Sequence, residues 1–259
     1  MKHIAIALLL LCQGIAVMAD SLDSLVRANY LKTTLVVTSL KSGKQYTYNE
    51  TRAGQQFLPA STFKIPNTLI SLQEKAISGL HDTIRWDGNE RFIKSWNHDQ
   101  DLNSAFQISC VWFFQELATR VGKDAFLSYL KKMEYGNQLS GPDVRTFWLD
   151  GDLRISAREQ VSFLKKLYRR ELPFDQHNYD LLRHVMLADS NQAYKLFAKT
   201  GWAVRADIQT GWYVGYVETS DDVWIFACNL EIRSDEEAGF RKELVYRYLR
   251  DLKIIPEVL

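Results

Sequence analysis

The sequence predicts a mixed α/β chain of the α+β type: a central antiparallel sheet flanked by helices, joined to an all-helical lobe. Three observations carry that prediction. β-branched and aromatic runs stand at both ends of the chain, helical periodicity fills the middle, and one amphipathic segment closes the carboxy terminus.

In chain order, Leu35–Ser39 and Gln45–Tyr48 are β-rich runs around Lys41-Ser42-Gly43-Lys44, a hairpin signal. A loop over 49–59 leads to a helix opening at Ser61. An apolar helical stretch covers Asp101–Val121, and a second amphipathic helix covers Ala125–Met133. The segment Tyr135–Asp152 is turn-rich, with Gly136, Asn137, Gly141, Pro142 and Gly151. Ile155–Arg169 reads as a helix opened by Ser156 with Glu159 three residues on, a capping-box pattern in which each side chain satisfies the other's free N–H. Asn178–Leu187 is helical. The period then changes: Tyr194–Thr200, Gln209–Glu218 and Val223–Ile232 read as an antiparallel meander, and Phe240–Leu252 as a final amphipathic helix. No internal repeat or low-complexity linker interrupts this plan.

The chain has 259 residues and a formal net charge of +1, from 32 basic and 31 acidic residues. That balance, without a basic run, argues against a nucleic-acid partner. The amino terminus differs from the rest. Lys2, the apolar run Ile4–Leu11 and the small-residue end at Ala19 read as a secretory signal peptide cleaved after Ala19. Gln13 and Gly14 break the run short of the ~20 residues a membrane span requires. The expectation is therefore an exported, single mature domain of two lobes, residues 20–259, with no membrane anchor. Cys110 and Cys228 remain after cleavage; export permits a disulfide, but their apolar neighbours favour buried thiols. No zinc-type spacing occurs. The faint calcium-loop pattern at Asp99–Ser104 lacks its Gly and its closing Glu, so no metal is expected.

The chemistry concentrates at Phe57–Ile70, FLPASTFKIPNTLI, where Ser61 and Lys64 stand three apart at the head of an apolar helix. The S-x-x-K spacing occurs three times, also at Ser128–Lys131 and Ser162–Lys165, where it lies inside amphipathic helices. Only Ser61 follows a loop. There Lys64 shares its helix face, and the helix start favours developing negative charge. A serine hydroxyl needs an adjacent base to act as a nucleophile. Its bland reading is a helix cap. Downstream, Lys199-Thr200-Gly201 ends a predicted strand, offering a cation and a hydroxyl to a carboxylate, with a glycine that admits a close ligand. Ser109 lies between the two motifs.

Taken together, Ser61-Thr62-Phe63-Lys64, Ser109-Cys110-Val111, Tyr135-Gly136-Asn137, Trp148, Lys199-Thr200-Gly201 and Arg241 resemble the serine penicillin-recognising enzymes, specifically the class D, oxacillinase-type β-lactamases. The S-D-N motif of class A is absent, since Cys110 and Val111 follow Ser109. The resemblance implies the serine β-lactamase/penicillin-binding fold and hydrolysis of β-lactam antibiotics, penicillins and oxacillin-type compounds, in the periplasm, by a monomer or homodimer. It implies Ser61 as the acylated nucleophile and Lys64 as its base, present as the carbamate N6-carboxylysine formed with carbon dioxide. Trp148 would hold the carbamate through its indole N–H, and Ser109 would relay a proton to the departing nitrogen. The backbone N–H groups of Ser61 and Trp202 would form the oxyanion hole. Lys199, Thr200 and Arg241 would hold the substrate carboxylate, Gly201 and Val111 would also belong to the substrate-binding site, and Val111, Leu149 and Phe63 would line the pocket of the base. Carbon dioxide or bicarbonate is the one small molecule required beside the substrate. Physical chemistry accommodates this base: an ordinary lysine has a pKa near ~10.4 and is protonated at neutral pH, but burial favours the neutral amine that captures carbon dioxide. Two alternatives share the first step, a cell-wall transpeptidase or carboxypeptidase and a β-lactam sensor domain that stays acylated.

Overall fold

The computed structural model describes residues 22–29 and 31–257. The expected signal peptide lies outside the described residues. The sheet has six strands: β1 (Thr33–Ser39), β2 (Gln45–Tyr48), β5 (Leu187–Ser190), β6 (Tyr194–Trp202), β7 (Thr210–Thr219) and β8 (Val223–Glu231). Their order is β2-β1-β8-β7-β6-β5, with every neighbouring pair antiparallel. The amino-terminal hairpin thus joins the carboxy-terminal meander through β1 and β8, where Leu35 stands opposite Cys228. A small pair, β3 (Thr83–Ile84) and β4 (Gln100–Asp101), stands apart.

Both faces of the sheet are covered, so its strands read as apolar runs rather than as strict alternation. On one face Val36, Trp212, Val214, Tyr216, Ile225 and Ala227 join the larger core with the central helices. These are α2 (Glu50–Ala53), α3 (Lys64–Gln73), α4 (Leu102–Gln107), α5 (Val111–Val121), α6 (Lys123–Met133), α7 (Ala157–Tyr168) and α8 (Gln176–Met186). On the other face Leu35, Val37, Tyr213, Phe226 and Leu230 pack against the short helix α1 (residues 22–28) and α9 (Phe240–Asp251), through Leu22, Val26, Leu244 and Leu249. Among the described residues no helix is long and apolar enough to cross a membrane.

Three local differences from the sequence reading matter for the site. The helix expected to open at Ser61 starts at Lys64, after a tight 3-10 turn over Ala60–Phe63, so Ser61 lies inside the turn and does not cap α3. The single stretch expected over Asp101–Val121 is two helices, α4 and α5, broken at 108–110, where Ser109 is left-handed with φ 59°. Apolar periodicity runs through such a break because the residues on both sides bury in the same core. Leu187, placed in the preceding helix by its pattern, instead opens the edge strand β5. The capping box at Ser156 and Glu159 forms as expected: Ser156 Oγ accepts from the Glu159 N–H at 3.2 Å, and the Glu159 carboxylate from the Ser156 N–H at 2.7 Å.

Candidate active site

The nucleophile's turn is held at both ends. Ala60 adopts φ +48°, a conformation an alanine takes up only when its surroundings demand it, and its N–H donates to the Trp148 carbonyl at 2.9 Å. Two residues on, the Thr62 hydroxyl donates to the Pro59 carbonyl at 2.7 Å and accepts from Gln160 Nε2 at 3.0 Å. Ser61 is thereby presented where the turn feeds the start of α3.

Lys64 is fully buried, and its Nζ lies 2.9 Å from Ser61 Oγ. The Phe114 ring centroid is 5.1 Å from that nitrogen. Burial lowers the Lys64 pKa to about 7; the nearby Cys110 thiol opposes this only partly, being itself pushed up to about 11 by burial. The amine is therefore about half neutral near pH 7.

Ser109 receives the second lysine. Lys199 Nζ donates to Ser109 Oγ at 3.0 Å and to the Thr200 carbonyl at 3.3 Å. Burial also drives the Lys199 pKa well below its ordinary value, reinforced by the charges of Lys64, Arg241 and Lys242. Arg241 is fixed by two carbonyls, Nε to Ala238 at 2.6 Å and Nη1 to Gly201 at 2.9 Å. Gly201 has a steric reason: a Cβ there would stand 3.0 Å from the Pro59 carbonyl oxygen and 3.1 Å from Thr62 Cγ2. A side chain there would press on the nucleophile's turn, so the glycine lets β6 lie close to it, and both Ser61 and Trp202 line the cleft that results.

A cleft of about 370 Å³ opens here, lined by Ser61, Ser109, Val111, Leu149, Thr200, Gly201, Trp202 and Arg241, with Ile93, Trp96, Ile108, Val204 and Arg205 around them. No carboxylate lines it, so the cationic side offers itself to an anion. Lys64 and Lys199 lie behind this surface and reach it through their two serines. Trp148, 1% exposed, stacks on Phe63 with ring centroids 5.5 Å apart. The Tyr135-Gly136-Asn137 turn fixes the segment that carries it. Asn137 donates Nδ2 to the Asp152 carbonyl at 2.8 Å and accepts the Arg154 N–H at 3.0 Å, while Gly136, at φ +53°, passes under Arg154 where a Cβ would overlap its carbonyl.

Of the residues singled out in the sequence, Ser61, Ser109, Val111, Leu149, Thr200, Gly201, Trp202 and Arg241 line one cleft, and Lys64 and Lys199 meet it through Ser61 and Ser109. The structure adds Phe114, one helical turn beyond Val111, and Gln160, whose contact with Thr62 bridges 98 positions and left no local signal. Cys110 and Cys228 are free, buried thiols on opposite faces of the sheet. Cys110 does not line the cleft.

A serine within reach of a buried lysine, a second lysine on a strand of the sheet and another serine against it are the arrangement expected of a penicillin-recognising serine enzyme. The family described as penicillin binding protein transpeptidase domain matches residues 28–249. Among named proteins, β-lactamase OXA-48 of Klebsiella pneumoniae is 41% identical over 223 residues, 85% of this chain and 84% of that protein. β-Lactamase OXA-20 of Pseudomonas aeruginosa is 40% identical over 228 residues, 87% and 84% of the two chains. The crystal structure of the class D β-lactamase YbXI from Nostoc superposes with a TM-score of 0.88 at 36% identity, covering 92% of this chain and 99% of that one. The chain belongs to the class D β-lactamases.

Proposed function

We propose that this chain hydrolyses β-lactam antibiotics through an acyl-enzyme on Ser61, and so confers resistance to them. The observation that carries the mechanism is a fully buried Lys64 nitrogen 2.9 Å from Ser61 Oγ, in a pocket that favours its uncharged form. The substrate carboxylate lies against Lys199, Thr200 and Arg241, and its lactam carbonyl points at the N–H groups of Ser61 and Trp202, donors aimed where negative charge develops. Ser61 Oγ gives its proton to the base and bonds to the lactam carbon. The ring C–N bond breaks, and its nitrogen takes a proton from Ser109, whose hydroxyl is restored by the proton the base took from Ser61, so the base is free again to activate water. Water then cleaves the ester and releases Ser61. The burial of Lys64, with the Phe114 ring 5.1 Å from its nitrogen, suits it to carry a carbamate: a neutral amine can add carbon dioxide, and the anion formed would serve as the general base in both half-reactions. Trp148 would donate its indole N–H to that anion. Export to the periplasm after loss of residues 1–19 completes the reading, and rests on the sequence pattern of the amino terminus.

The test is turnover of a chromogenic cephalosporin combined with intact-mass spectrometry. Catalytic turnover is expected, with one transient acyl group on a peptide containing Ser61. Stoichiometric labelling without turnover would make the protein a sensor or transpeptidase instead, and a Ser61→Ala variant as active as wild type would remove the nucleophile assignment.

A further inference from the structure

The Trp202 side chain, which lines the cleft, is itself held by a residue outside it. Its indole Nε1 donates to Gln209 Oε1 at 2.8 Å. The same indole ring lies 5.7 Å from the Arg241 guanidinium carbon. Arg241 uses Nε and Nη1 on the carbonyls of Ala238 and Gly201, and both Arg241 and Trp202 line the cleft. We propose that Gln209 is a positioning residue for carboxylate recognition: by engaging the indole N–H it fixes the Trp202 ring against Arg241 and keeps the guanidinium aimed into the cleft. This rests on the reading that Arg241 binds the substrate carboxylate.

The local architecture separates this role from a purely structural one. The Gln209 main chain is secured without its side chain, because its carbonyl accepts from the Ile232 N–H at 2.8 Å. The loop it ends, residues 203–209, is anchored elsewhere too. The Ala203 N–H donates to the Thr210 carbonyl at 2.9 Å, Ala203 and Ala206 pack on Leu58 and Ala60, and Arg205 pairs with Asp150 at 2.7 Å. Removing the Gln209 amide therefore leaves the loop in place and frees the indole alone. An unfastened tryptophan has rotamers that leave the guanidinium without its ring, and a cation loses orientation when its aromatic partner turns away.

Gln209→Leu tests this, with acylation efficiency measured for a penicillin and for its methyl ester, which lacks the carboxylate. The acid should lose roughly fivefold to tenfold in kcat/KM, the worth of one hydrogen bond, with kcat within about twofold and the ester unaffected. Trp202→Phe, which keeps a ring but has no N–H to give, should lower the ratio of acid to ester kcat/KM by the same factor. Adding Gln209→Leu to it should cost nothing more, because both changes remove one contact. Equal losses for acid and ester, an unchanged acid, or additive losses in the double variant would each overturn the role of Gln209. Arg241→Ala in the same assay should erase the preference for acid over ester. If it does so while Gln209→Leu does not, only the role of Gln209 falls; if Arg241→Ala preserves the preference, the carboxylate reading falls, and the proposal with it.

Discussion

Lys64 makes a quantitative prediction about pH and carbon dioxide. Its pKa of about 7 leaves the amine half neutral at pH 7 and about one part in a hundred neutral at pH 5. An exposed lysine would be neutral at pH 7 only about once in a few thousand molecules, so burial multiplies the reactive form by roughly three orders of magnitude. Forming a carbamate from the ammonium releases two protons, one from the nitrogen's charge and one when carbon dioxide adds. At fixed dissolved carbon dioxide, log kcat/KM should therefore fall with a slope of about two below pH 7, and its midpoint should move about half a pH unit per tenfold change in carbon dioxide. A plain amine base gives a slope of about one and no dependence on carbon dioxide. Initial rates from pH 5 to 7 at two fixed carbon dioxide pressures decide between them; superimposable profiles of unit slope would refute the carbamate. Stability has its own sign. The folded value lies below the unfolded 10.5, so between about 7 and 10.5 the unfolded chain holds the extra proton and stability rises with pH. Below about 7 the burial penalty is complete, on the order of 5 kcal/mol. In acidic buffer freed of carbon dioxide, Lys64→Met should accordingly melt above the wild type.

Trp148→Phe keeps a ring against Phe63 and deletes the N–H, so acyl-enzyme should accumulate and added bicarbonate should partly restore turnover; unchanged deacylation measured by intact mass would remove the tryptophan from the mechanism. Arg241→Ala should lower kcat/KM for penicillins about ten- to a hundredfold, the worth of a charge-assisted contact of ~1.5–3 kcal/mol. An effect within about twofold would place the carboxylate elsewhere. Gly136→Ala must hold a positive φ and push against the Arg154 carbonyl, at about 3 kcal/mol, a Tm lower by roughly 6–12 °C by calorimetry; an unchanged Tm would show that the turn has another conformation.

Local residue chemistry determined much of this protein before any coordinates. Helix periods, the Ser156–Glu159 box and the β-branched meander specify elements because each rests on neighbours within a few positions. Ser61 stood out from Ser128 and Ser162 because a loop precedes it, and burial of Lys64 was foreseeable from Phe63, Ile65 and Leu69 around it. What the sequence could not decide is anything whose partner is remote. The break at Ser109 is invisible to apolar periodicity, since residues on both sides enter one core, yet it turns the hydroxyl toward Lys199, 90 positions away. The left-handed Ala60 is met by the Trp148 carbonyl, and Asn137 ties down residues 152 and 154 just beyond Trp148. The sequence alone picked out the groups expected to react. Tertiary packing decided their protonation and aim, because the desolvation that lowers Lys64 and the carbonyls that orient Arg241 come from segments the chain brings together only on folding.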